Sequence, residues 1–300
     1  KTFDPEKKSV SNTTDAYILL AAILEDKFKD AASATLVLQQ LVTANADDAL
    51  AWLALARRNG QRNDLKLAAT QAAKAMQLAP DNPDALALSF EIASLDKNLI
   101  LAETLAENGL DLFPLDDRSY RNAATIALRK QQLSAAIEVL EKGLEKLPGK
   151  VSLLLLLADV QLQQRQLSAV EQTIAKLSDM IGPTSPAVGL LQARVFILEQ
   201  QWLPAKLKLD QVRPMVAGSK DLTRQVDLCL GQCYEQLGQF DEQLSANQRV
   251  LTEDSSSLAA RVGSAAALIT AGKSVEALAE LEAIAASIPA EQLAAIPQIW

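Results

Sequence analysis

Three stretches of the chain end alike: KAMQLAP at residues 74–80, NGLDLFP at residues 108–114 and KGLEKLP at residues 142–148. Each is amphipathic and stops at a proline, and the prolines at positions 80, 114 and 148 are equally spaced along the chain. A small residue stands twelve positions before each proline, as Ala68, Ala102 and Ala136. Two fixed spacings that recur with one period predict a structural unit that is repeated along the chain.

A fourth stretch, CLGQCYEQLGQF at residues 229–240, has an internal pattern of its own. A Leu-Gly pair is followed by an aromatic residue and then by a second glycine, as Leu230, Gly231, Tyr234 and Gly238. This pattern, together with the interval between the prolines, resembles the tetratricopeptide repeat. In that family each repeat is an antiparallel pair of helices, A and B, and small residues stand where the two helices meet.

The resemblance covers nearly the whole sequence once the prolines set the phase. We expect an array over residues 15–289, a polar lead-in at residues 1–14, and the start of a further helix or a truncated end at residues 290–300. The eight repeats are predicted to start near Asp15, Ala49, Pro83, Asp117, Val151, Pro186, Arg224 and Leu258. The phase slips by one residue before the sixth repeat and by four before the seventh, where residues 216–222 (VAGSKDL) hold the insertion.

The resemblance implies an all-α fold, a right-handed superhelical solenoid of about eight antiparallel helix pairs. One pair cannot bury its apolar faces alone, so neighbouring pairs are expected to stack. With positions counted from each repeat start, position 8 should be small, and it is Gly231 in the seventh repeat. In the third repeat it is Phe90, and in the others it is alanine: Ala22, Ala56, Ala124, Ala158, Ala193 and Ala265.

The composition argues against several classes of function. The 300 residues carry a formal charge of −8, and because an acidic chain repels phosphate backbones, we expect no nucleic acid partner. No apolar run approaches the roughly 18 residues of a membrane span. The absence of histidine excludes His-dependent nucleophilic catalysis and His-ligated metal sites. We therefore predict no catalytic residue, no metal and no cofactor, and we interpret the protein as not an enzyme.

The two cysteines, Cys229 and Cys233, fall four residues apart on one predicted A helix. A metal site would need further soft ligands, and a disulfide across one helical turn has poor geometry. We interpret both cysteines as small, partly buried side chains. The nearby glycines do not form the GxGxxG pattern of a phosphate-binding loop.

Partners of this family lie mainly on the concave face, which the A helices line. Position 5 of the A helix is mostly apolar in this chain, and it predicts contacts with an amphipathic helix or an extended peptide. The residues that we expect to make these contacts are Leu53, Leu155, Leu190 and Leu228. The alternative is that neighbouring side chains of the array bury these leucines.

The fourth repeat concentrates polar and basic side chains on one face of its predicted A helix: Arg118, Arg121, Asn122, Thr125 and Arg129. Position 9 of other repeats adds Arg57, Glu91, Asp159 and Arg194. Arginine binds carboxylates through two parallel hydrogen bonds, so the cluster predicts an acidic partner. It is similar to the carboxylate clamp of some family members, although the third repeat departs from that pattern with Asp84 and Glu91. The alternative is that carboxylates of the chain pair with these arginines.

From the resemblance we predict a scaffold or adaptor that binds a peptide or a helix of a partner protein, acidic or amphipathic, on the concave face. Two alternatives stay open: a targeting or regulatory region of a larger membrane-anchored, secretion or enzyme-fused protein, and a structural spacer that forms oligomers through its array ends. RNA-binding helical repeats tend to be basic, which fits this chain poorly. The chain starts without methionine, so we interpret it as processed or cut. Its compartment stays open: a low cysteine content favours the cytoplasm, and a periplasmic location is compatible with an upstream signal that has been removed.

Overall fold

A computed structural model describes the backbone of residues 5–287 and the side chains of residues 14–287. Over this range the chain forms sixteen α-helices and one short 3-10 helix, η1, and no strand. The first eight helices are α1 (Pro5–Asp26), α2 (Ala31–Ala44), α3 (Ala49–Gln61), α4 (Leu65–Leu78), α5 (Pro83–Leu95), α6 (Leu99–Leu112), α7 (Asp117–Arg129) and α8 (Leu133–Lys146). The others are α9 (Val151–Gln163), α10 (Leu167–Ile181), α11 (Pro186–Leu198), α12 (Trp202–Val212), η1 (Arg213–Val216), α13 (Lys220–Gln236), α14 (Phe240–Glu253), α15 (Leu258–Thr270) and α16 (Ser274–Ser287).

The chain divides into two compact units, unit 1 (Lys1–Leu153) and unit 2 (Leu154–Trp300). Consecutive helices pack against each other from α1 to α8 in unit 1 and from α10 to α16 in unit 2. A helices also contact the A helix of the following repeat: α3 contacts α5, and α13 contacts α15. Odd-numbered helices are therefore A helices and even-numbered ones B helices. The predicted all-α fold of stacked helix pairs is confirmed.

Helix starts in unit 1 repeat with the same capping chemistry. The A helices α3, α5 and α7 follow Asp48, Asn82 and Asp116, and each of these side chains accepts a hydrogen bond from the backbone N–H two residues on. The B helices α2, α4 and α6 follow Asp30, Asp64 and Asn98, which accept from the N–H three residues on. The exception is Gln132 before α8, whose side chain forms no cap hydrogen bond. One such cap stabilises a helix by about 1 kcal/mol.

The turn from helix A to helix B contains a left-handed residue in all eight repeats. Position 15 has φ between 55° and 77° in each: Lys29, Asn63, Lys97, Gln131, Arg165, Gln200, Gly238 and Gly272. In the second to eighth repeats the next N–H bonds back to the carbonyl five residues earlier, as Asn98 does to Ala93 at 2.9 Å. This is the left-handed turn that closes a helix and reverses the chain.

The helix starts can be compared with the repeat starts expected from the sequence. Six A helices begin at those residues: Ala49, Pro83, Asp117, Val151, Pro186 and Leu258. Helix α13 begins at Lys220, four residues before Arg224, and α1 begins at Pro5, ten residues before Asp15. The expected further helix at residues 290–300 lies outside the described residues.

Position 8 lies buried between helices in five of the six alanine repeats. Ala56, Ala124, Ala158 and Ala193 are 0% exposed and Ala265 is 1% exposed. In the first repeat the assignment of this position to Ala22 was wrong, because Ala22 is exposed and Ala21 is buried. The reason is a longer turn, in which the Asp30 N–H reaches back six residues to Leu24, so the helix register shifts by one residue.

The insertion expected at residues 216–222 covers the last residue of η1 and the start of α13, and a buried carboxylate anchors η1. Asp227 on α13 is 1% exposed, and its Oδ1 accepts hydrogen bonds from Arg213 Nε at 2.9 Å and from Arg249 Nη2 at 2.7 Å. A buried carboxylate needs such partners, because removing them leaves an unpaired charge. The three residues thus connect η1, α13 and α14.

Candidate functional site

Three successive A helices of unit 1, α3, α5 and α7, line a groove that contains a cavity of about 420 Å³. We call it the arginine groove. Its polar lining consists of Arg57, Asp84, Glu91, Ser94, Arg118, Arg121, Asn122, Thr125 and Arg129, and its apolar lining of Ala87, Leu88, Phe90 and Leu95. Seven residues of the predicted site thus lie around one cavity. Four arginines and two carboxylates leave this lining with a net charge of +2 in a chain of net charge −8.

Arg118 is already engaged by carboxylates of the chain. Its Nη2 lies 2.6 Å from Asp116 Oδ2, and its Nη1 lies 2.6 Å from Asp84 Oδ1 on α5. The hydrogen bond from Arg118 lowers the pKa of Asp116, and the same bond, together with that to Asp84, raises the pKa of Arg118. For this arginine, the alternative of internal pairing holds, and its contact with Asp84 links α5 to α7.

The other three arginines of the groove differ from Arg118 in their pairing. Among the ion pairs and side-chain hydrogen bonds of residues 14–287, none involves the guanidinium of Arg57, Arg121 or Arg129. All three side chains are exposed. The nearest acidic neighbour of Arg121 on its own helix is Asp117, which accepts a hydrogen bond from Ser152 at 2.5 Å and forms an ion pair with Lys150 at 3.4 Å. The charge of Arg121 helps to lower the pKa of Asp117, but the two side chains form no hydrogen bond. The groove therefore presents guanidinium groups with free donors.

The floor of the groove is apolar. Leu88 and Phe90 on α5 are only 5% and 7% exposed, and they lie in apolar clusters of the unit 1 core. Helices held by such packing keep the side chains above them in place. Thr125 donates to the carbonyl of Arg121 at 2.8 Å, so its hydroxyl is occupied within α7. A ligand would meet arginines at the rim and hydrocarbon beneath them.

Two charged residues of the predicted site lie in unit 2. Arg194 Nη1 on α11 is bonded to Asp159 Oδ1 on α9. The pair is partly exposed, and pairs of this kind stabilise a protein by about 0–1 kcal/mol. Because the arginine is neutralised by the chain itself, we do not include these two residues in the proposed site.

The four predicted leucines differ in accessibility. Leu53 is 5% exposed and Leu190 is 4% exposed, so both have little surface to offer to a partner. Leu155 and Leu228 are partly exposed. Leu228 lines a second cavity, of about 750 Å³, in unit 2.

Sequence reasoning missed that second cavity, which lies among α13, α14, α15 and α16. Gln243 and Asn247 of α14 contribute to its lining, with Gly231 and Gly263 on the adjacent A helices. A signal was present in the sequence. Position 20 is alanine or valine and position 24 is apolar in every other repeat, whereas the seventh repeat has the two amides there.

Burial disfavours ionisation of both cysteines. Burial raises the pKa of Cys229 to about 11 and that of Cys233 to about 12, so both thiols are protonated at neutral pH. Neither forms a disulfide. Within residues 14–287 no three or more Cys, Asp or Glu side chains come together as a metal site would require. None of the helices described has the length and apolarity needed to cross a membrane.

Comparisons with known proteins agree with this architecture. A family model described as "Tetratricopeptide repeat" matches residues 127–195. A search of curated proteins finds no match. A tetratricopeptide repeat protein from Parabacteroides merdae superposes with a TM-score of 0.69 at 13% identity, over 86% of this chain and 99% of that one. PilF of Pseudomonas aeruginosa superposes with a TM-score of 0.55 at 21% identity, over 72% of this chain and 97% of that one.

Yeast Tom70 is a third similar structure, with a TM-score of 0.64 at 16% identity over 90% of this chain. This chain spans 58% of the Tom70 chain. At such identities the likeness shows the fold alone. Residues 127–195 match the tetratricopeptide repeat family, and the equal spacing of the prolines and the left-handed residue in every A-to-B turn continue the same repeat pattern on both sides of that match.

Proposed function

We propose that the protein is an interaction scaffold that binds an acidic segment of a partner protein in the arginine groove of unit 1. The observation that carries the proposal is the set of three arginines, Arg57, Arg121 and Arg129, that have no ion pair within the described chain and line one cavity. Arginine that has no internal partner retains all its donors for a carboxylate.

The binding would combine two contributions. The rim arginines bind the carboxylates of the segment, and because these side chains are exposed to solvent, each contact contributes about 0–1 kcal/mol. Leu95, which is 55% exposed, and the half-buried Ala87 supply the accessible apolar surface of the groove for an apolar side chain of the segment. A cavity of about 420 Å³ is in the size range of ligand pockets, and it holds a few residues of a peptide.

An acidic ligand fits this groove better than a nucleic acid does. The positive charge is confined to a groove with a net charge of +2, whereas the whole chain is at −8 and repels a long polyanion. Glu91 at the groove also limits the density of negative charge that a ligand can bring. A short segment with one or two carboxylates next to an apolar residue satisfies these conditions.

The proposal can be tested with two pooled libraries of seven-residue peptides, random except for two fixed central residues. The fixed residues are glutamate in one library and glutamine in the other. We expect immobilised full-length protein to retain the glutamate library in excess, as measured by mass spectrometry. The variant Arg121→Glu with Arg129→Glu should lose that excess by at least about tenfold, because two charged hydrogen bonds become repulsions.

The matched control is Lys66→Glu with Lys142→Glu. Both lysines are exposed in unit 1, on the B helices α4 and α8, and neither lines the groove, so the control makes the same change in net charge. It should retain the excess of glutamate peptides. Equal retention of both libraries by the wild type, or an equal loss in the control, would show that the arginine groove is not the site.

A further inference from the structure

Helix α6 of unit 1 presents several large apolar side chains to solvent. Ile100 is 83% exposed, Leu112 is 59% exposed and Leu101 is 42% exposed. Among the described side chains, five of the twenty large apolar ones that are exposed lie on α6 or in the turn after it: Leu99, Ile100, Leu101, Leu112 and Leu115. Single exposed apolar residues are ordinary, whereas a concentration of them on one element indicates an interaction surface.

Helical periodicity places five exposed residues of α6 within about 140° of its circumference. We call this surface the α6 face, and it consists of Ile100, Leu101, Glu107, Asp111 and Leu112. Leu101 and Leu112 mark its two ends, which lie about 17 Å apart at 1.5 Å per residue. The opposite side of the helix is the one that is buried in unit 1, through Ala102, Leu105, Ala106 and Gly109. Folding of the unit therefore does not account for the apolar residues of the α6 face.

The charge of the α6 face is negative, and the chain does not neutralise it. Helix α6 contains three acidic residues and no lysine or arginine. Glu103, beside the face, is paired with Lys130 of α7. Glu107 and Asp111 form no ion pair and no side-chain hydrogen bond with the described residues. They stand one turn apart, where like charges repel and destabilise a helix, so a cation bound at both would remove that repulsion.

A small cavity lies beside these carboxylates, between α6 and α7. Its volume is about 140 Å³, and its lining includes Glu107 and Ala123. Ala123 is half-buried and supplies accessible apolar surface there. Lysine and arginine pack their hydrocarbon stems on apolar surface while the charged head stays in water. The cavity thus suits the stem of a cationic side chain whose head lies at Glu107.

The charge and the apolar ends together select one kind of partner. Carboxylates without partners repel nucleic acid and anionic lipid. The large apolar side chains at both ends favour a protein segment over a small cation. A helix that lies along α6 covers the 17 Å between these ends with apolar residues eleven positions apart, at about 1.5 Å per residue. Lysine or arginine between those residues complements Glu107 and Asp111.

We propose that the α6 face binds a basic amphipathic helix of a partner protein. Lysine or arginine side chains of that helix bind Glu107 and Asp111, and its apolar side chains pack against Ile100, Leu101 and Leu112. The surface is separate from the arginine groove, whose lining includes no residue of α6. It also selects the opposite charge, so unit 1 offers two surfaces for two different segments.

The test uses immobilised full-length protein and three pooled libraries of capped fifteen-residue peptides on an alanine-rich background. Each peptide has two leucines fixed eleven residues apart and, between them, two residues fixed one helical turn apart. The latter are both lysine, both glutamine or both glutamate. We expect the wild type to retain the lysine library about threefold above the glutamine library, as two solvent-exposed charge contacts allow, and the glutamate library least.

The variant Glu107→Gln with Asp111→Asn should retain the lysine and glutamine libraries equally. The matched control is Glu141→Gln with Glu145→Gln on α8, where two exposed carboxylates also stand one turn apart. It makes the same change in net charge and should keep the threefold preference. Ile100→Ser with Leu112→Ser should lower the retention of both libraries, because the apolar contacts at the two ends are lost.

Equal retention of the lysine and glutamine libraries by the wild type would overturn the proposal. An equal loss of preference in the α8 control would also overturn it, because the overall acidity of the chain would then be the cause. Light scattering examines a second copy as the occupant: a mass above one chain that Ile100→Ser with Leu112→Ser lowers would contradict a basic helix. The variant Arg121→Glu with Arg129→Glu should keep the preference for lysine, so this test and that of the arginine groove can fail independently.

Discussion

At the scale of single residues, the conformation of position 15 shows how strongly the fold dictates the backbone. Six of the eight residues at this position are not glycine, yet all have positive φ. A left-handed conformation costs a residue with a side chain roughly 1 kcal/mol relative to glycine. The other residues adopt this conformation because the turn ends helix A and directs helix B antiparallel to it. Each of these six residues is a place where the chain is less stable than it could be.

Replacing Lys97 with glycine should therefore stabilise the protein. The side chain is exposed and φ is 57°, so glycine removes backbone strain and loses no contact. We expect a gain of about 0.5–1 kcal/mol, since the greater freedom of glycine in the unfolded chain offsets part of the effect. Urea unfolding followed by circular dichroism measures it. The reverse change, Gly238→Ala at φ of 71°, should destabilise, and a loss of stability in Lys97→Gly would contradict this account.

Low pH should reduce the stability of unit 1 by protonating Asp116. The hydrogen bond from Arg118 lowers the pKa of Asp116 below its ordinary value of 3.8 in the folded protein. A lowered pKa contributes stability above the unfolded pKa, and that contribution is lost as pH falls through the folded pKa. Asp116→Asn keeps a capping side chain but does not titrate. Urea midpoints at about pH 7 and about pH 3 should differ less in this variant than in the wild type; an identical pH dependence would contradict the assignment.

At the scale of helices, contact between A and B depends on small residues that let the axes approach. Gly143 on α8 faces Tyr120 on α7, and a Cβ on this glycine would lie 2.7 Å from Tyr120 Cγ. Tyr120 is held in place by burial and by its hydroxyl, which donates to the Pro114 carbonyl at 3.0 Å. Interiors packed this closely transmit a small change in volume to the positions of the helices.

Gly143→Ala should cost about 1–3 kcal/mol, because the added methyl group forces α7 and α8 apart. Gly60→Ala on α3 provides the contrast, since the nearest atom to its new Cβ, on Ile92, would be 3.8 Å away. There alanine should stabilise the helix by about 0.5–1 kcal/mol. Urea unfolding of both variants checks the pair, and a Gly143→Ala variant as stable as the wild type would show that the helices are less closely packed than described.

At the scale of the whole molecule, packing is local along the chain. The helices of each unit contact those one or two places away in sequence, which is the pattern of a quasi-one-dimensional array. In such an array the free energy of unfolding is approximately a sum over repeats and the contacts between neighbours. A substitution in one repeat therefore changes the stability of the adjacent repeats and has little effect on more distant ones.

Hydrogen exchange of Gly143→Ala should show this locality inside unit 1. We expect faster amide exchange in α7 and α8 and a smaller increase in α5 and α6, with α2 unchanged. Mass spectrometry of peptic fragments gives the comparison, and Gly60→Ala serves as the matched variant with no overpacking. An equal increase over the whole of unit 1 would mean that the unit opens as one cooperative body.

The sequence alone was sufficient to predict the helix-pair repeat and most A-helix starts, because prolines, caps and small residues act within one repeat and recur from repeat to repeat. It also indicated which polar residues share a face of α7, since this depends only on helical periodicity.

The tertiary structure decided which of those residues are paired or buried within the chain and which are available to a ligand. Arg118 pairs with Asp84 of the preceding repeat while Arg121 has no ion pair, and Leu53 is buried while Leu155 is partly exposed. The second cavity, in unit 2, likewise arises because Gly231, Asn247 and Gly263 come from three helices. Such contacts depend on how successive helices stack, and a pattern within one repeat does not contain that information.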